Sequence, residues 1–404
     1  MKKIMLIVLD GLGDRPNEVL GNMTALQAAF RPNLNFISRN GMNGLMHPIS
    51  PGIRAGSDTS HLSLIGYDPE KVYTGRGPFE AMGLGMEVRA GDIAFRANFA
   101  SRDDAMRILD RRAGRITSGT AELARDLNME IGGVEFRVKE GVEHRAAMVM
   151  HGAGLSPNVT DSDPHEAGKK VSSVSATKPD GEITASLINK FLVESRKILD
   201  ESDVNHDRIR EGLPPANEIL LRGAGIAPKL EPFSDRYNMK GACVVGIPMI
   251  SGICSLAGIT PLSVPGVTGR VDTDYRGKIK GAMEALKMYD YVLVNVKAPD
   301  IAGHDGDSIL KRDVIEKIDD AVGQLVPLAE DTVICITGDH STPCSMKDHS
   351  GDPVPIVFYS KGIIKDRTAQ FDEISAQRSA LRLKSGDVMQ YLLQLSERSE
   401  KYGA

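Results

Sequence analysis

The chain has 404 residues, of which 41% are hydrophobic and 25% charged, and its formal net charge is −5. Nucleic acids and anionic membranes attract a concentrated basic surface, so neither is expected as a partner of this weakly acidic chain. Four cysteines in so long a chain, with no C-x-x-C pair, argue against a disulfide framework and favour a reducing cytoplasm.

The first strand is predicted at the beginning of the chain. MKK is followed by the apolar run IMLIVLD, which is too short for a secretory signal and ends at Asp10. We interpret Ile4–Leu9 as a buried strand. No other run approaches the roughly 20 apolar residues of a membrane span, so we expect a cytoplasmic protein.

Further short, continuous β-branched runs are typical of strands that are buried on both faces of a parallel sheet. The predicted strands are Ile4–Leu9, Ala242–Ile247, Tyr291–Val296, Thr332–Thr337 and Ile356–Tyr359. Helical patterns lie between them at Gly277–Met288 and Ser308–Ala329. This alternation predicts an α/β fold with a doubly wound, mostly parallel sheet.

The pattern changes between residues 92 and 235. Short strand-like pieces (DIAFRANFA, MEIGGVEFRV and HRAAMVMHGAG) precede a predicted helix at Ile183–Leu199 and the polar stretch Glu201–Pro215. We therefore expect an α+β domain over residues 92–235. It would be inserted into a sheet domain formed by residues 1–91 and 236–404.

Ligands of open α/β sheets bind beyond the carboxyl ends of the strands, and three predicted strands lead there into a carboxylate. These carboxylates are Asp10, Asp300 and Asp339, and the histidines that follow two of the strands are His304, His340 and His349. A single Asp after a strand is also a common helix N-cap. The chain has only nine histidines, so the coincidence favours a metal site.

Carboxylates together with imidazoles suit zinc or manganese, although spacing alone leaves the metal open. Two such ions would suit phosphoryl transfer, because they orient a nucleophile and offset charge. Ser57 is the candidate nucleophile: AGSDTSH precedes the apolar stretch LSLIGY, and a helix N-terminus there would favour a phosphate. On this segment alone, Ser57 is equally a plain N-cap.

In this order, the residues resemble the metal and nucleophile pattern of the alkaline phosphatase superfamily. They are most similar to the cofactor-independent phosphoglycerate mutases of the shorter, archaeal type. The segments that carry the resemblance are LIVLDGLGDRP, AGSDTSHLSLIGYDP, YTGRGPFEAMGLG, DIAFRANFA, DRRAGRI, PGVTG, KAPDIAGHDGD and TGDHSTPC. They extend over nearly the whole chain.

The resemblance implies interconversion of 3-phosphoglycerate and 2-phosphoglycerate in glycolysis or gluconeogenesis. It implies two divalent ions (Mn, Zn, Co or Mg) and no 2,3-bisphosphoglycerate. One ion would be bound by Asp300, His304 and His349, and the other by Asp10, Ser57, Asp339 and His340. Ser57 would become phosphoserine, and the inserted domain would close over the site and contact the substrate.

The resemblance and the chemistry of the substrate also suggest residues of the insert. A phosphate and a carboxylate favour arginine forks, and the candidates are Arg111, Arg112, Arg115 and Arg222. The candidates that resemble the family's glycerate-binding and proton-handling loop are His151, Asp161 and Asp163. Lys278 and Lys297 are further candidates, and for each arginine the alternative is a solvated surface position.

Three functions compete at this point. The first is the isomerase, the second a metal-dependent phosphomonoesterase or phosphodiesterase, and the third a non-catalytic relative. An intact set of ligands argues against the third, and the insert motifs DRRAGRI and TDSDPHE favour the first over the second. A phosphopentomutase matches the insert poorly. The oligomeric state stays open, a homo-oligomer included.

Overall fold

The computed structural model describes residues 1–401 and Gly403. Its strands are β1 (Lys3–Leu9), β2 (Met42–His47), β3 (Ile93–Arg102), β4 (Ile108–Asp110), β5 (Met129–Ile131), β6 (Val134–Glu140), β7 (Arg145–His151), β8 (Glu218–Ile226), β9 (Gly241–Val244), β10 (Thr260–Pro261), β11 (Tyr291–Val296), β12 (Thr332–Thr337), β13 (Val354–Tyr359) and β14 (Leu381–Lys384). Its α-helices are α1 (Ala25–Ala28), α2 (Pro32–Arg39), α3 (Ser57–Leu64), α4 (Pro69–Val72), α5 (Gly77–Gly83), α6 (Thr120–Asp126), α7 (Glu182–Glu201), α8 (Asp203–Arg210), α9 (Phe233–Tyr237), α10 (Pro248–Leu256), α11 (Tyr275–Ala285), α12 (Ala298–Asp305), α13 (Ser308–Val322), α14 (Glu373–Gln377) and α15 (Val388–Leu395). Short 3-10 helices lie at Glu18–Leu20, Pro179–Gly181, Gly323–Glu330 and Ser385–Asp387.

Two compact units make up the chain. The first contains Met1–Val72 and Leu230–Ala404, and the second contains Tyr73–Lys229. The second unit thus begins before the predicted boundary at residue 92 and ends before the one at residue 235. The earlier start has a physical reason, because α5 packs Ala81 into an apolar cluster with residues of the second unit's own sheet.

The first unit is built on an eight-stranded sheet with the order β10-β9-β11-β1-β12-β13-β2-β14. β13 is antiparallel to both of its neighbours, and the other neighbouring strands are parallel. In β1, Met5 and Ile7 pack in a core cluster with α2, α11 and α13, while Ile4 and Leu6 point to the other face and are equally buried. The predicted doubly wound, mostly parallel α/β fold is confirmed.

The predicted strands of this sheet are present with small differences at their ends. The predicted helix Ser308–Ala329 is divided, because α13 ends at Val322 and continues as a 3-10 helix that contains Pro327. Proline lacks the N–H that an α-helix needs at such a position. None of the helices within residues 1–401 is long and apolar enough to cross a membrane.

The second unit contains an antiparallel sheet in which β3, β7, β6 and β5 are successive neighbours. β8 pairs along the other edge of β3, and β4 pairs with the end of β3. α7 packs against this sheet through stacked rings of Phe136 and Phe191, whose centroids are 4.8 Å apart. The polar stretch after α7 also forms a helix, α8.

Glu373, at the start of α14, is a buried carboxylate of the first unit. It accepts hydrogen bonds from the backbone N–H of Asp14 at 3.1 Å and from the hydroxyl of Thr24 at 2.7 Å. Burial nevertheless raises the pKa of Glu373 to about 7. The folded protein therefore holds a proton here that the unfolded chain releases at lower pH.

We expect this carboxylate to make the fold less stable as the pH rises between about 4.5 and 7, because the unfolded state binds fewer protons in that window. Glu373→Gln removes the charge and keeps the shape. Relative to the wild type, the variant's free energy of unfolding should rise across the window by up to about 3 kcal/mol. Urea denaturation at several pH values measures it, with the exposed Glu330→Gln as control. Parallel pH profiles for wild type and Glu373→Gln would refute the prediction.

Candidate active site

Three carboxylates converge at one edge of the first unit's sheet. β11, β1 and β12 are adjacent and parallel, so their carboxyl ends lie side by side. Asp10 and Asp339 come just beyond β1 and β12, and Asp300 lies in the first turn of α12, which follows β11. All three side chains are almost fully buried.

Ser57 is brought to the same place by α3. It is the first helical residue, and Gly56 precedes it as the N-cap in an extended conformation. The Ser57 hydroxyl lies 3.1 Å from Nε2 of His340 and 3.3 Å from Nζ of Lys297. The serine thus contacts both an imidazole and an ammonium group.

Lys297 connects the carboxylates. Its Nζ lies 2.9 Å from Oδ1 of Asp10 and 2.7 Å from Oδ2 of Asp300. Burial alone would lower the pKa of Lys297, but the charges of Asp10, Asp300 and Asp339 outweigh it and raise that pKa. Burial alone would raise the pKa of Asp300, yet Lys297 and two histidines hold it well below its usual range.

Three imidazoles present the same ring nitrogen to these groups. Nδ1 of His304 and Nδ1 of His349 donate to the carbonyl oxygens of Lys347 and Ala55. Nδ1 of His340 lies 3.1 Å from the hydroxyl of Thr342, which itself donates to Asp300. This hydrogen-bond network assigns the proton to Nδ1 in each ring and leaves a lone pair on Nε2. Burial also lowers the pKa of His340, to about 4.

The Nε2 atoms meet closely. Those of His304 and His349 are 3.2 Å apart, and the rings of His340 and His349 stack at 3.7 Å between centroids. Two facing lone pairs repel unless a cation or proton lies near both. Oxygen and imidazole donors of this kind fit Mn²⁺ or Zn²⁺, with the Nδ1 hydrogen bonds fixing the ring orientation.

Asp339 supports the same conclusion. Its Oδ1 accepts from the backbone N–H groups of Gly11 and His340, at 3.0 and 2.9 Å, whereas Oδ2 has no hydrogen-bond partner in the described part of the chain. Burial and then the charge of Asp10 raise the pKa of Asp339 to about 7. A buried, unsatisfied carboxylate oxygen is what a cation site provides.

The donor atoms form two groups, each gathered within 4.8 Å: Asp300, His340 and His349, and Asp10, Asp339 and His340. His340 belongs to both groups. His304 lies beside the first, with its Nε2 3.5 Å from Oδ1 of Asp300. The structure thus brings all seven predicted metal ligands to one edge of the sheet.

The candidate residues of the second unit are brought together in part. Arg111 donates twice to Asp163, at 3.1 and 2.6 Å, and Nη1 of Arg222 lies 3.9 Å from the same carboxylate. Asp161 accepts from the backbone N–H of Gly223 at 2.9 Å. Burial alone would raise the pKa of Asp163, but its bonds to Arg111 and the backbone lower it.

The other candidates have separate surroundings. His151 pairs with Asp92, at 2.6 Å between Nδ1 and Oδ2, and the side chains of Arg112 and Arg115 are exposed. In the first unit, Nζ of Lys278 is buried and donates to the carbonyl oxygens of Asn295 and Thr268. Burial lowers the pKa of Lys278 to about 8. The roles of these four residues in binding substrate stay predictions.

Comparison with known proteins gives the family. A family model described as 2,3-bisphosphoglycerate-independent phosphoglycerate mutase matches residues 38–205. A protein of that name from Thermoplasma volcanium is 54% identical, over 100% of this chain and 99% of that protein. The chain belongs to the 2,3-bisphosphoglycerate-independent phosphoglycerate mutases. The family predicted from the sequence motifs is confirmed.

Solved structures agree with this membership. A cofactor-independent phosphoglycerate mutase from Thermoplasma acidophilum is 49% identical with a TM-score of 0.74, and the match covers 98% of this chain and 100% of that one. A protein from Pyrococcus horikoshii is 35% identical with a TM-score of 0.88, covering 100% of this chain and 99% of that one.

The sequence analysis did not predict two polar residues of this candidate site, His61 and Asn295. Nδ2 of Asn295 donates to Asp10 at 3.0 Å and lies 3.2 Å from Nε2 of His61, whose Nδ1 donates to the Ser57 carbonyl at 2.7 Å. Both left a signal. Asn295 interrupts the apolar strand YVLVNV, and His61 follows Ser57 by four residues on one helix face.

We expect Asn295→Leu to destabilise the fold, because Asp10 and His61 would each lose a donor in a buried site. The free energy of unfolding should fall by about 2–4 kcal/mol. Chemical denaturation at 25 °C measures it. Asn40→Leu, at a position whose side chain hydrogen-bonds at the surface, should change it by less than about 0.5 kcal/mol. Equal effects of the two substitutions would contradict the assigned network.

Proposed function

We propose that this enzyme interconverts 3-phosphoglycerate and 2-phosphoglycerate in the cytoplasm, as a step of glycolysis or gluconeogenesis. The phosphoryl group would pass through a phosphoserine on Ser57, without 2,3-bisphosphoglycerate. One observation carries the proposal. The Ser57 hydroxyl contacts His340 and Lys297 at the point where the two groups of metal-ligand candidates meet.

Two divalent ions, of Mn, Zn, Co or Mg, fit the donors present. Asp300, His304 and His349 would hold one ion, and Asp10, Ser57, Asp339 and His340 the other. The unsatisfied Oδ2 of Asp339 and the facing Nε2 atoms support this assignment. The chemistry that such ions supply is activation of the serine hydroxyl and neutralisation of phosphate charge.

The residues of the chain account for the remaining requirements. The Ser57 oxygen attacks phosphorus, and the bond from phosphorus to the C3 oxygen of glycerate breaks. The Lys297 ammonium, 3.3 Å from the serine oxygen, stabilises negative charge on the phosphoryl group during the transfer. After glycerate reorients, its C2 hydroxyl attacks phosphoserine and restores Ser57.

Protons must leave and return to the two glycerate hydroxyls during this cycle. We propose Asp161 and Asp163 of the second unit for this role. Its bonds to Arg111 and to the backbone lower the pKa of Asp163 although burial alone would raise it, so the carboxylate is ionised near neutral pH and able to accept a proton. Arg111, paired with Asp163, would hold that carboxylate in place, and Arg222 would contribute a further positive charge for the anionic substrate.

We expect Ser57→Ala to abolish isomerisation, because no other group of the site would carry the phosphoryl group. The assay supplies Mn²⁺ and 3-phosphoglycerate, couples 2-phosphoglycerate to enolase, and measures free phosphate in parallel. Ser60→Ala is the matched control, since Ser60 is a buried serine of the same helix. Isomerisation that persists in Ser57→Ala would refute the phosphoserine. Free phosphate without 2-phosphoglycerate in the wild type would instead favour a hydrolase.

We expect metal removal to destabilise the protein, because buried carboxylates would lose their counterions. Protein treated with chelator should gain several degrees in melting temperature when Mn²⁺ is added. The wild type should retain two equivalents of metal after dialysis and Asp339→Asn about one, as mass spectrometry of the metal content would show. The exposed Asp331→Asn is the control. Two equivalents retained by Asp339→Asn would remove Asp339 from the ligands.

A further inference from the structure

A second concentration of charge lies on the sheet of the second unit. In β3, Phe95 and Ala97 pack in that unit's core cluster, so the residues between and after them face the opposite side. Arg96 and Asn98 therefore share that opposite face.

Arg96 is placed among like charges. Arg222 is its cross-strand partner in β8, and Arg76 lies just before α5. Oε1 of Glu80 accepts from Nε of Arg76 at 3.0 Å and lies 3.8 Å from Nε of Arg96. Burial, and then the charges of Arg76 and Arg222, lower the pKa of Arg96 to about 9. The positive charges of these arginines repel one another. A bound anion would relieve this repulsion, so the cluster is a candidate anion-binding site.

Two buried atoms of this face have no hydrogen-bond partner among the described residues: Nε of Arg96, a donor, and Oδ1 of Asn98, an acceptor. The Asn98 side chain is almost completely buried, at 5% exposure. Buried polar atoms normally have hydrogen-bond partners. The pair therefore indicates a ligand that accepts a hydrogen bond at one point and donates one at another. Residues two apart in a strand are about 7 Å from each other, which suits a ligand of a few carbon atoms.

We propose that Arg96, beside Arg222, and Asn98 bind the hydroxycarboxylate end of the substrate. The carboxylate accepts hydrogen bonds from the guanidinium, and a hydroxyl donates to Oδ1 of Asn98. A phosphate dianion has no hydrogen to donate, so Asn98 selects the glycerate end rather than the phosphate end. The inference rests on phosphoglycerate being the substrate, as proposed above.

Arg111 is less suited to this role than Arg96. Its guanidinium already makes two hydrogen bonds to Asp163, and breaking them would cost a buried carboxylate its bidentate partner. Nε of Arg96 would not have to break a hydrogen bond of this kind in order to bind a ligand. A ligand carboxylate there would also offset the repulsion between Arg96 and its neighbouring arginines.

The test measures binding of 3-phosphoglycerate and of inorganic phosphate by calorimetry, in Mn²⁺-loaded protein that carries Ser57→Ala to prevent turnover. In this background, Arg96→Met should weaken 3-phosphoglycerate binding by about 10- to 100-fold and change phosphate binding by less than about twofold. Arg96→Lys should lie in between, because it keeps the charge and loses the planar fork. Asn98→Leu should weaken 3-phosphoglycerate binding by about five- to tenfold.

Arg210→Met is the control, since Arg210 is an exposed residue of α8 that pairs, within the described residues, with its helix neighbour Asp207 alone. The melting temperature is a second readout: Arg96→Met should leave it unchanged or raise it, because like-charge repulsion is relieved. A fall in melting temperature with unchanged affinity would show a structural role and overturn the inference.

The remaining outcomes separate the two proposals. If Arg96→Met weakened the binding of 3-phosphoglycerate and of phosphate equally, this would be a phosphate site, and the assignment to the glycerate end would be overturned. If the Ser57→Ala protein binds 3-phosphoglycerate and Arg96→Met leaves that affinity unchanged, this inference alone would be refuted. If the Ser57→Ala protein without a further substitution bound phosphate but not 3-phosphoglycerate, the proposed substrate and this inference would both be overturned.

Discussion

The packing of Asp10, Asp300 and Asp339 at one sheet edge is the constraint on which the first unit depends. Buried carboxylates lose hydration and repel one another, so each needs donors nearby. Backbone N–H groups serve Asp339, and the Lys297 ammonium serves the other two. One oxygen of Asp339 is still left without a donor among the described residues. The proposed divalent ions would neutralise the negative charge that remains at this edge.

The parallel sheet explains why this repulsion can be tolerated. β11 and β12 are buried along their whole lengths and β1 is buried from Ile4 to Leu9, and the apolar surface they remove from water offsets a poorly neutralised edge. The histidines are oriented by the same framework, because their Nδ1 atoms donate to loop carbonyls and to Thr342. The Nε2 lone pairs consequently point inwards, towards the carboxylates.

Much of this arrangement could be predicted from sequence, because the position of a strand's end depends on a short local pattern. The runs before Asp10 and Asp339 showed both the strands and the edge that they share. Residues placed by tertiary packing were harder to find. Asn295 and His61 belong to the site through contacts that span most of the chain, although each left a local signal.

The start of the second unit and the proposed role of Arg96 could not be predicted from the sequence pattern. α5 is short, and its assignment to the second unit follows from packing against β3, β7 and β8 rather than from its own composition. In DIAFRANFA, Arg96 lies between apolar residues in the alternating pattern of a strand. This pattern predicts an ordinary residue that faces away from the core. Its surroundings become visible only when β8 brings Arg222 beside it.

The sheet edge of the first unit, with its carboxylates, and the arginine cluster of the second unit carry opposite local charges, and the difference bears on the choice between isomerase and hydrolase. The first unit's surplus of carboxylates suits metal ions and a phosphoryl group, which a phosphatase needs as much as a mutase. An isomerase must also retain glycerate while phosphoserine exists, because the same glycerate has to take the phosphoryl group back. Each 1.4 kcal/mol or so of glycerate binding lengthens that residence about tenfold at a fixed association rate. The guanidinium groups of the second unit are therefore where selection for isomerisation over hydrolysis would act.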